Sequence, residues 1–474
     1  MTGHRIAAVV LAAGAGSRFG GGKLLVSLHG RPVFQHVLDR LAEAGVGEVL
    51  VVLGDDAEAV EAAIDWRAER RVRNPDPGRG LSSSLRVGIE ALDSGVDAAL
   101  IVLGDQPRVP VEAIRTLVAA GFDDARPIVV PFYPVDQGRN PVLLGRAAFR
   151  LVAQATGDRG LGPVIAAHPE LVREVPVRAA VGGNPDIDTR ADLVAMLEAA
   201  WAARVLANNE QVERFREIPD GSDFYAPVTG LFRADPTRTD EPALDLLLDL
   251  VRDGETWLDI GAGAGRYALP IARALAPSGG SVIAVDASRS MLDGLREIAA
   301  EHGIVNARVV EGRWPAAATS VGLADVALIA HVGYDIAAIG PFVRAMESSV
   351  RRLCVAVLME RQPSSIADVC WPPVWGEARV ALPALPEFVE FLRALGHEPS
   401  VVRIERAPRR FESRAQLEGF LRRQLWIGPS GDADARFLEA LEPLVVAAAD
   451  GSVGLHDQRP LPIGMVTWTP GGIP

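Results

Sequence analysis

Cysteine is nearly absent: Cys354 and Cys370 are the only two in 474 residues. Two thiols are too few for a disulfide framework or a four-cysteine zinc site, which agrees with a reducing compartment. The histidines other than His331 show no metal-ligand spacing. Positive charge is in deficit, 48 Lys and Arg against 61 Asp and Glu, for a net charge of −13. Such a chain lacks a general grip on nucleic-acid phosphates or anionic lipid, although a local basic pocket for an anionic small molecule is compatible with it. No apolar run approaches the roughly 20 residues of a membrane helix. The run Ile6–Ala13 behind His4 and Arg5 has about the minimum length of a signal-peptide core. It reads better as a buried strand entering a glycine loop. The expectation is a cytoplasmic protein with small-molecule substrates and neither nucleic-acid nor membrane partners.

What is present is ordinary globular composition, 49% apolar and 23% charged, at a length that suits two or three domains. Strand-like runs (Ile6–Leu11, Glu48–Leu53, Ala98–Leu103, Ile128–Pro131) alternate with helical stretches (Pro32–Ala44, Ala57–Trp66, Ser83–Leu92, Val111–Ala120). Unbroken apolar strands alternating with amphipathic helices predict a parallel sheet covered on both faces. A helix is expected from near Thr189 to about Phe215, followed by a polar stretch from Pro219 to Asp223. A second alternation begins near Glu241, with strands at Thr256–Ile260, Ser281–Val285, Ala307–Val310, Val326–Ala330, Leu353–Leu358, Val401–Arg406 and Met465–Trp468. No internal repeat relates the halves. The fold class is therefore α/β, with two doubly wound Rossmann-like domains at 1–200 and 241–474 and a helical linker at 201–240.

The first strand runs into Gly14-Ala15-Gly16-Ser17-Arg18-Phe19-Gly20-Gly21-Gly22-Lys23. Glycines let main-chain N–H groups approach phosphate oxygens, while Arg18 and Lys23 add a planar fork and a point charge. Neither a Walker loop nor a clean dinucleotide fingerprint is present. Asp105, in Gly104-Asp105-Gln106-Pro107, follows the apolar strand Ala98–Leu103 and so stands where such sheets bind ligands. One carboxylate together with substrate phosphates is the usual way of holding Mg²⁺. In Asn184-Pro185-Asp186-Ile187-Asp188-Thr189, alternation puts Asp186 and Asp188 on one face, for metal or substrate contact; Thr189 alternatively caps the next helix.

These segments, with Leu11-Ala12-Ala13 and Gly80-Leu81-Ser82-Ser83-Ser84-Leu85, occur in an order that resembles the MobA-like nucleotidyltransferases over about residues 5–198. Within them it is most similar to the molybdenum cofactor cytidylyltransferases. The resemblance implies Mg²⁺-dependent transfer of a nucleoside monophosphate from CTP or GTP to the terminal phosphate of molybdopterin, with release of pyrophosphate. It further implies that Leu11, Ala13, Gly14, Gly16, Arg18 and Lys23 cradle the nucleotide, and that Ser82 and Ser83 lie near base and ribose. Asp105 holds the metal, with Asp186 and Asp188 as further candidates; Arg18, Lys23 and Asp105 carry catalysis. Ala13 favours CTP. The setting implied is the maturation of a molybdenum hydroxylase, whose apo-enzyme would be a partner. Two segments depart from the family pattern, Arg139-Asn140-Pro141 and Gly157-Asp158-Arg159-Gly160-Leu161-Gly162, both expected on the acceptor side.

A second glycine loop, Asp259-Ile260-Gly261-Ala262-Gly263-Ala264-Gly265, also ends a strand, and Asp286 closes the next one. A carboxylate there accepts both ribose hydroxyls of a nucleoside ligand. The loop, Asp259 two residues before its first glycine, and the helical prelude resemble class I S-adenosylmethionine (SAM) dependent methyltransferases over about residues 210–474. The resemblance implies SAM contacts at Asp259, Gly261, Gly263 and Asp286, with Trp314 available to stack on adenine beside the unusual Arg313. His331, after the fourth strand, is either a general base or a structural residue. Trp371–Trp375 is an acceptor lid or a packed loop, and the arginines at 406, 409 and 410 read as a solvated face. The combined expectation is a bifunctional enzyme. The alternative is nucleotidyl transfer to a sugar phosphate, with the second domain a SAM-binding regulatory module lacking turnover.

Overall fold

Seven strands in each half pair into one sheet per half, and the central ones are runs of Val, Ile, Leu and Ala that bury side chains on both faces. A computed structural model describes residues 4–14, 16–133, 138–177, 186–218, 233, 235–456, 458 and 460–471. Ala15, Asn184, Pro185 and the expected linker stretch 219–223 lie outside the described residues. The chain divides into two compact units, Met1–Leu193 and Val194–Pro474. The division falls in the first turn of the helix Arg190–Phe215, the one expected from Thr189. Its length therefore belongs to the second unit. No described helix is long and apolar enough to cross a membrane.

The first unit contains β1 (Ile6–Ala12), β2 (Val49–Leu53), β3 (Arg70–Arg73), β4 (Ala98–Leu103), β5 (Ile128–Phe132), β6 (Val142–Gly145) and β7 (Val172–Pro176). Their order in the sheet is β3-β2-β1-β4-β6-β5-β7. β1 is central and parallel to both neighbours, with Ala8 opposite Val49 and Ile6 opposite Ala98. The sheet is not wholly parallel as expected, since β6 runs antiparallel to β4 and β5. Only nine residues, 133–141, separate it from β5, too few for the crossover that a parallel pair needs. Apolar clusters fill both faces: Val10, Phe34, Val37 and Leu38 on one, Val9, Leu85, Ile101 and Val164 on the other. The parallel strands leave the carboxyl ends of β1 and β4 side by side, where the first glycine loop and Asp105 begin.

The second unit contains β8 (Thr256–Ile260), β9 (Ser281–Asp286), β10 (Ala307–Glu311), β11 (Ala324–Ala330), β12 (Val350–Met359), β13 (Ser400–Ile404) and β14 (Ile463–Trp468). The order is β10-β9-β8-β11-β12-β14-β13. β14 runs antiparallel to β12 and to β13, so β13 points the same way as β12. The carboxyl ends of β8, β9, β11, β12 and β13 thus share one edge. Trp257, Leu328, Val355 and Leu269 form the core against this sheet. A separate cluster around Trp371, Phe437, Leu421 and Cys370 builds a helical cap. Trp371 is fully buried there, so Trp371–Trp375 is a packed helix and not a lid.

Candidate functional site

In the first unit, buried Leu11 and Ala13 bring β1 up to the glycine loop. The turn closes through Phe19 N–H to Gly16 O (2.9 Å) and Gly21 N–H to Gly16 O (3.1 Å). Gly16 has φ +59°, and a Cβ there would stand 3.3 Å from Lys23 Cγ. The loop needs glycine at that point so that the lysine stem can cross it. Gly14 is exposed with open space around it. From below, Gly54 lies so close that a Cβ would come within 2.6 Å of Ala13 O. Gly54→Ala must push Ala13 and the loop aside. We expect it to cost about 1–3 kcal/mol in urea melts and to weaken NTP binding about tenfold in a fluorescence titration.

Lys23 is the hub. Its Nζ donates to Asp105 Oδ2 at 2.5 Å and to Asp188 Oδ1 at 3.4 Å. Burial opposes its charge, but Asp105 and Asp188 outweigh this and raise its pKa. The ammonium is therefore permanent at neutral pH. Arg18, with its side chain 80% exposed, reaches Asp188 Oδ2 at 3.7 Å. The segment 186–188 is tied to the Asp105 loop by Ile187 N–H to Asp105 O (3.2 Å), and Ile187 is fully buried between the two aspartates. Arg18, Lys23, Asp105 and Asp188 thus come together at the ends of β1 and β4.

The expected set of three metal carboxylates does not form. Gln106 Nε2 donates to Asp186 Oδ1 at 2.5 Å, and Asp186 has its pKa raised by burial first and then by Asp105 and Asp188. Among the described residues, no group of three His, Cys, Asp or Glu stands in position to hold a metal ion. The reason is that Gln106 takes Asp186 while Lys23 stands between the other two. A cation held by two carboxylates remains, and that oxygen-donor pair suits a hard divalent ion completed by phosphate oxygens. Thr189 does cap the following helix: Asp192 N–H donates to Thr189 Oγ1, and Asp192 Oδ2 accepts from Thr189 N–H at 2.7 Å. Capping by Thr189 is thus seen, while Asp188 turns to Lys23 and Arg18.

Ser82 and Ser83 are buried. The Ser83 hydroxyl has Gly80 O and Asp76 O as alternative acceptors for its one proton and accepts from Asn74, so it braces its own loop. The two departing segments are placed as follows. Arg139 pairs with Glu174 at 3.6 Å, and Asn140 O accepts from Tyr133. Gly157–Arg159 packs against the helix Leu81–Glu90.

In the second unit, Asp259 is the last residue but one of β8 and only 3% exposed, and its Oδ1 has no hydrogen-bond partner. Burial, then Asp286, pushes its pKa up to about 7. Asp286 Oδ2 accepts from Gly263 N–H at 2.8 Å and Oδ1 from Ser288 N–H at 2.8 Å, which fixes the loop against the end of β9. Gly261 N–H and Ala262 N–H bond to Val285 O. An orphaned buried carboxylate oxygen beside an open glycine loop fits the cationic amino-acid end of SAM. Asp259, Gly261, Gly263 and Asp286 are thus gathered in one place.

Trp314 is not available for stacking in the way expected. It is 7% exposed, and its Nε1 donates to Phe342 O, because the side chain packs inward under the sheet edge. His331, at the end of β11, has φ +58°, and its Nδ1 is buried without a partner. Burial, then Arg406, then Arg266 lowers its pKa to about 4. The imidazole is accordingly neutral in the folded chain. Sequence reasoning did not single out Gln106, Arg266 or Glu241. Glu241 accepts from Tyr267 Oη and pairs with Arg266 and Arg238 beside the loop. Only Gln106, next to Asp105, carried a signal.

Residues 8–172 match the MobA-like NTP transferase domain family, and residues 258–353 match a methyltransferase domain family. Among individual proteins, the bifunctional protein GlmU of Sphingopyxis alaskensis is 38% identical over 146 residues, 30% of this chain and 31% of that protein. The 2-C-methyl-D-erythritol 4-phosphate cytidylyltransferase of Streptomyces avermitilis is 34% identical over 141 residues, 28% of this chain and 56% of that one. This chain thus spans from about a third to somewhat over half of these two curated relatives. The crystal structure of Rv0371c from Mycobacterium tuberculosis H37Rv is 30% identical, with 42% of this chain covering 100% of it at a TM-score of 0.37. The chain is a fusion of two families: a MobA-like NTP transferase domain at 8–172 followed by a methyltransferase domain at 258–353.

Proposed function

We propose that the first unit transfers a nucleoside monophosphate from CTP, or GTP, to a phosphate monoester, with molybdopterin as the leading acceptor. One observation carries the reading: the Lys23 ammonium, held between Asp105 and Asp188 where the glycine loop meets the ends of two parallel strands. A phosphate monoester is already an anionic nucleophile, so no general base is needed. The chain must align it with the α-phosphate and balance charge on the departing pyrophosphate. Main-chain N–H groups around Gly14 and Gly16 face the triphosphate, and Arg18 and Lys23 offset its charge. Asp105 with Asp188 would hold Mg²⁺, which when bound supplies further neutralisation of the leaving group. When phosphates arrive, Lys23 exchanges a carboxylate for a phosphate oxygen.

The acceptor has a second reading. One relative is named for cytidylyl transfer to 2-C-methyl-D-erythritol 4-phosphate, and the segments 139–141 and 157–162 depart from the molybdopterin-enzyme pattern. A sugar phosphate or related polyol phosphate is the alternative. The test is pyrophosphate release with Mg²⁺, each NTP, and molybdopterin or 2-C-methyl-D-erythritol 4-phosphate in competition. Release with molybdopterin and CTP supports the leading reading. Release only with the polyol phosphate replaces it, and no release with any pair removes the assignment.

For the second unit we infer SAM-dependent methyl transfer, supported by the orphaned Asp259 carboxylate. SAM when bound supplies an electrophilic methyl group. Asp259 would hold its amino-acid end and Asp286 its ribose, while Gly261 and Gly263, whose N–H groups are taken by Val285 O and Asp286, shape the loop around it. A SAM-binding module without turnover is the alternative. Calorimetry with SAM, followed by methylation assays on cell extract, separates these two.

A further inference from the structure

The arginines expected as a solvated face are exposed, yet two of them line a cavity beside the helical cap. Phe411 and Val453 exchange both main-chain hydrogen bonds (2.9 and 2.8 Å), which lays the segment carrying Arg409 and Arg410 along the short strand Val453–Leu455. That strand pairs with Val445–Ala447, and Phe411 and Leu455 are buried in the cap core, so the pairing is anchored. Segment and hairpin together line a cavity of about 260 Å³, with Arg409, Arg410, Val446, Leu455, His456 and Gln458 in its wall. Arg409 is clamped there: its guanidinium carbon lies 4.2 Å from the centre of the Phe420 ring and 5.2 Å from that of Phe411. Arg410 stays close to the hairpin, its Nη1 3.8 Å from where a Cβ on Gly454 would stand. Neither guanidinium makes a hydrogen bond or ion pair with a described residue. Asp450, whose carboxylate feels Arg410, already spends Oδ1 on the N–H and hydroxyl of Ser452. Gln458 supplies the opposite polarity, since its Oε1 is buried without a hydrogen-bond partner.

We propose that this cavity binds a compact oxyanion, a phosphate monoester or a carboxylate, that carries a hydroxyl beside its charged group. Arg409 and Arg410 grip the anion, Gln458 Oε1 accepts from the hydroxyl, and Val446 and Leu455 cover the carbon body. Guanidinium forks bind either oxyanion in two-point fashion. An arginine already held against two rings loses little freedom when the ligand arrives. The volume lies just below the usual range of drug-sized ligand sites, so the occupant is small. The net charge of −13 disfavours a polyanion such as nucleic acid. None of these residues belongs to the glycine loop after β8 or to the end of β11, so the proposal does not rest on the SAM reading.

The test uses the full chain with arginine labelled for NMR, the Arg409 Nε resonance being assigned by its loss in Arg409→Lys. Glycerol 3-phosphate and glycerate carry a hydroxyl beside the anion, whereas methyl phosphate and acetate do not; each is titrated separately. The expected result is a saturable shift of the Arg409 resonance with a hydroxyl-bearing probe, and the tighter of those two names the oxyanion. In Arg410→Gln that affinity falls about tenfold, the loss of one charge-assisted pair, and Arg410→Lys recovers part of it. The hydroxyl-bearing probe binds about fivefold tighter than its hydroxyl-free partner, the worth of one hydrogen bond, and Gln458→Leu erases the difference. SAM affinity by calorimetry stays unchanged in Arg410→Gln. Absence of a saturable shift with every probe, or equal affinity in wild type and Arg410→Gln, overturns the site. Equal affinity for the two members of a pair, or a preference that survives Gln458→Leu, overturns the role of Gln458 and with it the hydroxyl. Displacement of the probe by a single-stranded oligonucleotide at micromolar concentration would overturn the small-molecule assignment.

Discussion

Asp105→Ala lowers pyrophosphate release by about a thousandfold at saturating NTP and Mg²⁺, a loss on the scale of removing one element of electrostatic catalysis. Its side chain is 19% exposed and carries the shortest contact of the Lys23 ammonium, so one substitution removes both an oxygen for the metal and the anchor of the lysine. Asp105→Asn preserves shape and hydrogen bonding but not charge, and is expected to lose nearly as much. If the alanine variant is slow but the asparagine variant runs at the wild-type rate, Asp105 acts through packing and the metal role is wrong. Both variants should melt close to wild type, because the carboxylate lies at the rim of the core, beyond the end of β4.

Asp259→Asn has opposite effects on cofactor and fold. The unfolded chain releases this proton near the ordinary carboxylate pKa of about 3.9, whereas burial and Asp286 hold it in the folded protein up to about 7. Between these values the folded state binds more protons than the unfolded one, so stability falls as pH rises through that window. The total is about 4 kcal/mol, lost in full above the folded pKa. Asparagine carries no such penalty. The variant should therefore melt higher than wild type at pH 8 and about the same at pH 4. SAM, by contrast, favours the ionised carboxylate, so wild-type affinity should rise with pH through about 7, and Asp259→Asn should lose it about a hundredfold. Scanning calorimetry and SAM titration at several pH values check both arms. A wild-type SAM affinity in Asp259→Asn would detach this residue from the cofactor.

Most strands were legible because each is a run of β-branched and aliphatic residues bounded by polar turns. Ile6–Ala12, Ala98–Leu103 and Thr256–Ile260 lie within a residue of their expected bounds. The exceptions have different causes. Arg70–Arg73 pairs with β2 at the sheet edge with mostly exposed side chains, so it carries no apolar signal. Val142–Gly145 is a short run whose antiparallel direction depends on its neighbours and not on its own residues. The gathering of Arg18, Lys23, Asp105 and Asp188 was readable because each sits just beyond a strand or before a helix, at the end where parallel sheets expose ligand sites. The capture of Asp186 by Gln106 was not, since it depends on a contact across 80 residues. Nor was the inward packing of Trp314, which needs the carbonyl of Phe342.

Local pattern alone therefore determined that two α/β units succeed one another and where each glycine loop turns, because hydrophobic period and glycine placement act over a few residues. The partner of each polar group was decided only by tertiary structure. Lys23 found two aspartates, Ser83 was consumed by its own loop, and Asp259 was left with an oxygen to fill. A charge or hydroxyl must be satisfied by whatever the fold brings within about 3 Å, and that neighbour is rarely adjacent in sequence.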